Sequence, residues 1–303
     1  MPTTIDLHIH SNVSDGSLSP TQIIDTAKKN NVSIISITDH DSTDAYTKNL
    51  FLYAKENNIT LIPGVEISTK IDKVGFHILG YNINLKDKTF ATKLKELRES
   101  RHTYLFDVAK KLNEIGYIVQ TEQLDQIDAV TKAHIALDVI NNPINHQQLI
   151  NNFNKIPTKG EFIESTMNEG CPAYAKKQTI TPLEASNLIK SAGGKVVLAH
   201  PVVYKHEDNV DTKQIQEIIN QINPDGIESN YIYVNRYNQV FDESKFWNDF
   251  AINNNLIATV GSDFHKTDNI RPEIGFVNST LFINNSQKNQ ILNLLSECQQ
   301  EKK

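Results

Sequence analysis

A chain of 303 residues with 39% hydrophobic and 22% charged residues is long enough to bury a sizeable core, as one large soluble domain or a barrel with an insertion. A net charge of −6 excludes broad binding along the phosphates of duplex nucleic acid, yet leaves room for a small phosphorylated substrate held by a few local cations. Two cysteines, Cys171 and Cys298, make neither a disulfide framework nor a zinc knuckle; no stretch reaches membrane-spanning length, and Met1 to Thr4 lack a basic patch before an apolar run, so a reducing cytoplasm is expected.

The first element is Ile5-Asp6-Leu7-His8-Ile9-His10. In an extended strand Ile5, Leu7 and Ile9 point one way and Asp6, His8 and His10 the other. The two imidazoles then stand about 7 Å apart at their bases and can converge on one cation. Alone, such a pair belongs more often to the solvated face of an edge strand; the rest of the chain overturns that. A polar loop, Ser11 to Ser17, precedes a helix that Ser19 can cap and Pro20 can begin, with Ile23, Ile24 and Ala27 as its apolar stripe. Ser33 to Thr38 reads as a strand delivering Asp39-His40, followed by a helix from roughly Thr43 to Asn57. Thr60 to Val65 leads to Glu66, and Phe76 to Tyr81 is another short strand containing His77. This β-α-β-α rhythm implies parallel strands with buried faces.

The rhythm stops near Asn82, and Lys86 to Ser191 reads as helices and loops. It resumes at Gly194, with a strand ending in Ala199-His200-Pro201. A helix around Thr212 to Gln221, the strand end Gly226-Ile227-Glu228 and a helix around Glu243 to Asn253 follow. Leu256 to Val260 then runs into Gly261-Ser262-Asp263-Phe264-His265. The tail, Gln299 to Lys303, is expected to fray. The expected division is a barrel from residues 1–82 and 193–290, a helical insertion at 83–192, and a helix end and tail at 291–303.

His8, His10, His40, Glu66, His77, His200, Asp263 and His265 each lie within or at the end of an expected strand, and Asp15 in the first loop after one. Active sites of β/α barrels form where strands end, so residues far apart in sequence can meet there. One such histidine would be ordinary; this many strand-end histidines and acids point to a metal centre. Asp263 and His265 repeat the two-residue spacing of His8 and His10. Histidine and carboxylate donors without thiolate suit Mn²⁺, Fe²⁺ or Zn²⁺. Nine groups exceed what one ion uses, which implies two or three clustered ions with a carboxylate such as Glu66 bridging. Clustered ions can activate a water as hydroxide and neutralise charge developing on a phosphoryl group.

Asp6-Leu7-His8-Ile9-His10, Ser14-Asp15-Gly16, Thr38-Asp39-His40, Gly64-Val65-Glu66, Ala199-His200-Pro201 and Gly261-Ser262-Asp263-Phe264-His265 resemble the successive motifs of the polymerase and histidinol phosphatase (PHP) family. Within it the chain looks most similar to the bacterial phosphoesterases acting on 3′,5′-nucleotide bisphosphates and the 5′ ends of short RNA. The resemblance covers nearly the whole chain. It implies a distorted seven-stranded β/α (TIM-like) barrel with a helical insertion covering the active site, three metal ions, with Mn²⁺ expected, and attack of a metal-bound hydroxide on a terminal phosphomonoester. By resemblance His8 and His10 hold the first ion, with Glu66 bridging and Asp263 completing it. Asp15, His40 and His265 would hold the second, and His77 with His200 the third, shared with Glu66. His200 and Asp263 are the expected catalytic residues, and His200 or a metal-bound water would protonate the leaving group.

Asp6 and Asp39 either orient ligand imidazoles or bond local backbone. Glu228 ends a strand on the same rim, as a ligand or as a buried, paired acid, and is left out of the metal set. His102, His146 and His206 read as surface histidines. In the insertion, Leu94, Leu97, Leu105, Val108, Leu112 and Ile115 form an apolar helical stripe on which Arg101 falls, with Arg98 on nearly the same face. Two guanidiniums there either clamp a phosphate or snorkel at the stripe's edge. In the resembled branch an Arg-x-x-Arg at this place binds substrate. Lys132 and His134 match a segment of that branch that usually reads Arg-x-His; lysine keeps the charge and loses the fork. Together Arg98, Arg101, Lys132 and His134 would select a substrate with a second phosphate.

Three other functions compete. A histidinol-phosphate phosphatase handles one small phosphate and needs no second clamp. A metal-dependent amidohydrolase also begins a barrel with His-x-His, but the Asp15 loop and the Ser-Asp-Phe-His ending fit it poorly. A non-catalytic metal or nucleotide sensor would not need so complete a ligand set.

Overall fold

Short runs rich in Ile and Val, buried on both faces, build the sheet of the larger of two compact units. The computed structural model describes residues 4–72, 74–127, 130–176, 178–235, 237–268, 270–276 and 285–296; Cys298 and the tail Gln299 to Lys303 lie outside them. Among the described residues the strands are β1 (Ile5–Ile9), β2 (Ile34–Ile37), β3 (Thr60–Ile71), β4 (Val74–Tyr81), β5 (Lys195–Leu198), β6 (Gly226–Asn230), β7 (Ile232–Val234), β8 (Val240–Asp242) and β9 (Ile257–Val260). Seven of them form one sheet in the order β1-β2-β3-β4-β5-β6-β9, and β7 pairs with β8 in a hairpin.

Beyond β9 the chain returns to β1: Asp263 N donates to His8 O at 2.8 Å and His10 N to Phe264 O at 2.9 Å. The result is the distorted seven-stranded barrel of TIM-like type, ringed by helices. Its strands are not all parallel, as the β-α rhythm implied. β3 pairs antiparallel with β4, and β4 antiparallel with β5. The reason is length: β3 runs on to Ile71, leaving two residues before Val74, far too few for the crossover that a parallel pair requires.

The helices are α1 (Pro20–Lys29), α2 (Lys48–Glu56), α3 (Lys88–Glu114), α4 (Thr121–Leu124), α5 (Lys132–Asn141), α6 (His146–Phe153), α7 (Lys159–Phe162), α8 (Pro182–Ser191), α9 (Pro201–Glu207), α10 (Thr212–Ile222), α11 (Ser244–Asn253) and α12 (Asn285–Ser296). Ser19 caps α1 in a reciprocal box with Gln22, as Thr181 does α8 with Glu184. α2 begins later than expected because Ser42 to Tyr46 turn locally and Thr47 supplies the cap.

The chain divides into two compact units, residues 1–93 with 179–303, and residues 94–178. In the first, Ile9 packs with Ile23, Ile24, Ile37 and Phe264, while Ile5 and Leu7 pack with Leu79, Val197 and the α12 residues Ile291 and Leu294. The second has its own core, in which Leu105, Val108 and Leu112 meet Tyr117, Ile135, Val139 and Phe162.

Candidate metal centre

All nine residues singled out from the sequence come together at one end of the barrel unit. β1 delivers His8 and His10, and the loop after it Asp15. His40 follows β2, His200 follows β5, and Asp263 and His265 follow β9. Glu66 and His77 sit on the β3–β4 pair, two residues apart in register, with His40 bridged to Glu66.

Glu66 stands at the middle. Its Oε1 lies 2.8 Å from His77 Nδ1, 3.2 Å from His200 Nε2 and 3.4 Å from His8 Nε2. Its Oε2 lies 3.0 Å from His40 Nδ1 and 3.2 Å from His10 Nε2. Asp263 Oδ1 is 3.3 Å from His8 Nε2 and 3.1 Å from His10 Nε2. On the far side of His10, Asp15 Oδ1 is 3.4 Å from His265 Nε2 and Asp15 Oδ2 is 3.7 Å from His40 Nε2. Four overlapping sets of donors emerge: His10, Asp15, His40 and His265; His8, His10 and Glu66; His40, Glu66 and His77; and His8, His200 and Asp263. The last set joins His200 to His8 and Asp263, a combination absent from the expected partition.

Two details test whether this donor set fits divalent cations. Ring nitrogens face each other at 3.2 Å between His8 and His10, and at 3.3 Å between His77 and His200. That is the spacing of neighbouring ligands about a small ion, since bonds of about 2.0–2.2 Å in tetrahedral or octahedral array put ligand atoms about 2.8–3.6 Å apart. Second, His40 Nδ1 and Glu66 Oε2 are buried and 3.0 Å apart, yet neither has a hydrogen-bond partner. Buried polar atoms are rarely left so. The donor set fits divalent metal ions.

The electrostatics agree. Burial raises the pKa of Glu66, but the imidazoles of His77, His40, His8 and His10 outweigh it and hold the carboxyl well below its usual range. Burial likewise opposes ionisation of Asp15 and Asp263, and histidines again prevail, keeping both low. Burial disfavours a charged His10, yet Asp263, Glu66 and Asp15 together push it up to about 10. At His40 burial wins, and its pKa falls to about 3. The acids are thus ionised and poised for cations.

The surrounding contacts settle three acids. Glu228, 1% exposed, places both oxygens 3.1 Å from His8 Nδ1, and its Oε2 also accepts the His200 N–H at 3.0 Å. It partners the imidazole of His8 and leaves its Nε2 to face the cluster. Asp6 accepts from the backbone of Ser262 at 3.0 Å and Gly275 at 2.8 Å, bracing the loop that carries Asp263. Asp39 accepts from Ser11 N, Ser11 Oγ and Ser14 Oγ, each at 2.7 Å, and so orders the loop that presents Asp15. For these two the local bonding, not an imidazole, accounts for the residue.

Sequence reasoning missed two tyrosines. Tyr231 donates to Asp263 Oδ2 at 3.1 Å, and the Tyr204 hydroxyl accepts the His77 N–H at 2.9 Å. Their signal was faint, since Tyr231 is simply an aromatic residue after a strand and Tyr204 one on a helix. His200 itself has φ 21° and ψ 64°, and Asp263 has φ 52°, left-handed conformations that L residues seldom adopt.

The residues expected to bind substrate belong to the second unit, residues 94–178. Arg98 is half-buried and Arg101 only 3% exposed, deeper than a snorkelling residue would sit. Lys132 Nζ donates to Asn168 Oδ1 at 3.1 Å, and His134 Nδ1 accepts the Thr131 N–H at 3.1 Å, closing the capping box of α5. His102 pairs with Asp125, His146 with the Ile140 carbonyl and His206 with Glu243; the cluster includes none of them.

A family model described as the PHP domain matches residues 6–223, which span every cluster residue except Asp263 and His265. The chain belongs to the PHP domain family. Among its relatives, a 5′-3′ exoribonuclease of Haemophilus influenzae is 28% identical over 88% of this chain and 91% of its own. A 3′,5′-nucleoside bisphosphate phosphatase of Chromobacterium violaceum is 27% identical over 86% and 87%. The same fold occurs in a Bifidobacterium adolescentis protein provisionally named a metal-dependent phosphoesterase, with TM-score 0.73, 18% identity and coverage of 97% and 98%. It occurs again in a Chromobacterium violaceum amidohydrolase with bound sulfate and no metal, with TM-score 0.73, 23% identity and coverage of 95% and 97%.

Proposed function

We propose that this PHP-domain protein is a metal-dependent phosphoesterase that hydrolyses a terminal phosphomonoester of 3′,5′-nucleotide bisphosphates and acts on the 5′ ends of short RNA. The observation that carries the reading is the nine-donor cluster around Glu66, set in a cleft of about 240 Å³ lined by His40, Glu66, His77, His200, Asp263 and His265. The names of the relatives supply the substrate class. We take three ions, Mn²⁺ by preference, as the complement of the nine donors, and the cytoplasm as the compartment; no helix of the described residues is long and apolar enough to cross a membrane.

His8, His10, Glu66 and Asp263 would hold the first ion, Asp15, His40 and His265 the second, and His77 and His200 the third, with Glu66 shared. When bound, such ions supply Lewis acidity, lowering the pKa of a water and neutralising charge on a phosphoryl group. The protein's part is to fix the donors. Glu228 holds His8 in one tautomer, Tyr231 holds Asp263, and Asp39 holds the Asp15 loop. His200 and Asp263, the residues assigned to catalysis, both line the cleft. Arg98, Arg101, Lys132 and His134 are assigned to the phosphate that is not cleaved.

A phosphate-release assay on the manganese-loaded protein tests this. It should compare a nucleoside 3′,5′-bisphosphate, the corresponding monophosphates and histidinol phosphate. The bisphosphate is expected to give the highest kcat/KM; a preference for histidinol phosphate would overturn the substrate assignment.

A further inference from the structure

The walls of the cleft carry chemistry that the metal cluster does not use. Above the donors stand Tyr231 to Val234, from the start of the β7–β8 hairpin, and Arg271 with Pro272 from the loop after β9. Among the described residues lining the cleft, Arg271 is the one Lys or Arg. Its Nε lies 4.0 Å from Asp268 Oδ2, the far limit of an ion pair, and its side chain is 47% exposed. A pair so long and so wet holds a guanidinium weakly. The backbone beneath it is fixed, because Asp268 Oδ1 accepts the N–H of both Ile270 and Arg271 at 3.0 and 2.9 Å. It lines the same cleft as Tyr231, whose hydroxyl donates to Asp263. The cation therefore stands close to the cluster without belonging to it.

Tyr233 on the hairpin is held from two sides. Its hydroxyl donates to Glu207, and its ring lies nearly parallel to Phe241, with centroids 5.9 Å apart and planes at 20°. Phe241 stacks in turn on His206, with centroids 3.9 Å apart. An aromatic surface immobilised in this way loses little freedom when a flat ligand is laid against it.

We propose that Arg271 and Tyr233 form a subsite, within the barrel unit, for the uncleaved part of a nucleotide: Arg271 takes a second phosphate and Tyr233 contacts the base. The proposal rests on the phosphoesterase reading and extends it. A guanidinium matches phosphate through paired N–H donors. A tyrosine ring accepts any base, because every base has a π-face. The same cation repels a phosphate ester that bears an ammonium group, which sets a nucleoside bisphosphate apart from histidinol phosphate. Arg271 belongs to the barrel unit and Arg98 and Arg101 to the second unit, so the contribution of Arg271 is tested separately from theirs.

The test compares the manganese-loaded full chain with R271A, R271K and Y233A on adenosine 3′,5′-bisphosphate, ribose 5-phosphate and phenyl phosphate. R271A is expected to raise KM for the bisphosphate about ten- to a hundredfold, the cost of a charge-assisted contact, with kcat nearly kept. Its effect on phenyl phosphate should be at least tenfold smaller, and R271K should recover part of the loss. Y233A should weaken the bisphosphate more than the base-free ribose 5-phosphate. Equal losses on all three substrates, or none, would overturn the subsite while leaving the phosphoesterase reading in place. If the wild-type protein cleaves no phosphomonoester, that reading fails, and calorimetric binding of adenosine 3′,5′-bisphosphate decides the subsite: weaker binding to R271A supports it, and equal binding overturns it.

Discussion

Both oxygens of Glu228 face His8 Nδ1, and one of them also takes the N–H of His200, a residue held at φ 21°. One buried carboxylate thus fixes the tautomer of one expected ligand and the strained backbone of another. The sequence places Glu228 on the right rim but cannot say which of two roles it has, because its partners lie 220 and 28 residues away. The histidines and acids of the cluster were legible since each ends or lies in a strand-like run, or, as Asp15 does, in the loop directly after one. The tasks of Asp6 and Asp39 were not, since both bond loops whose path depends on the closed barrel. Glu228→Gln keeps the shape and removes the charge. Metal affinity is expected to fall about ten- to a hundredfold, in keeping with losses at other outer-shell carboxylates, and elemental analysis after dialysis against graded Mn²⁺ measures it. Unchanged occupancy would reduce Glu228 to a packing role.

At the scale of elements, the strands of the main sheet could be read from short apolar runs, and the start of α1 from Ser19 and Pro20; the β7–β8 hairpin gave no such run and was not foreseen. The direction of β4 could not, because the rhythm hides how far β3 extends before it turns. Closure depends on how tightly β9 meets β1. A Cβ added at Gly261 would lie 2.1 Å from Glu228 Oε1 and 2.3 Å from His8 Cβ, distances no packed atom tolerates. Gly261→Ala is therefore expected to lose metal and to lower Tm by several degrees, read by thermal melts with and without Mn²⁺; an unchanged Tm and metal content would show that β9 is free to yield. Helix α3 carries Arg98 and Arg101, and the sequence showed Arg101 on the apolar stripe without showing how deeply it is buried. If the pair clamps the uncleaved phosphate, the double alanine variant should lose on the order of a hundredfold or more in kcat/KM on a bisphosphate. A substrate with the scissile phosphate alone should lose far less. Equal losses, accompanied by a lowered Tm, would assign both arginines to the fold.

For the whole molecule, the expected insertion of residues 83–192 brackets the second compact unit, 94–178. The sequence shows where the β-α rhythm lapses, but the boundary falls inside α3, a continuous 27-residue helix that gives no break in periodicity. A chain with net charge −6 gathers its ionised acids Glu66, Asp15 and Asp263 among six histidines at one end of a barrel. From that concentration of donors follows the expectation that activity depends on bound metal. The decisive measurement is phosphate release from a nucleoside 3′,5′-bisphosphate by the same protein preparation, first stripped by chelator and then reloaded with Mn²⁺, with bound metal quantified at each stage. Turnover should vanish on stripping and return in step with the bound Mn²⁺. Full turnover by rigorously metal-free protein would exclude a metal-dependent phosphoesterase.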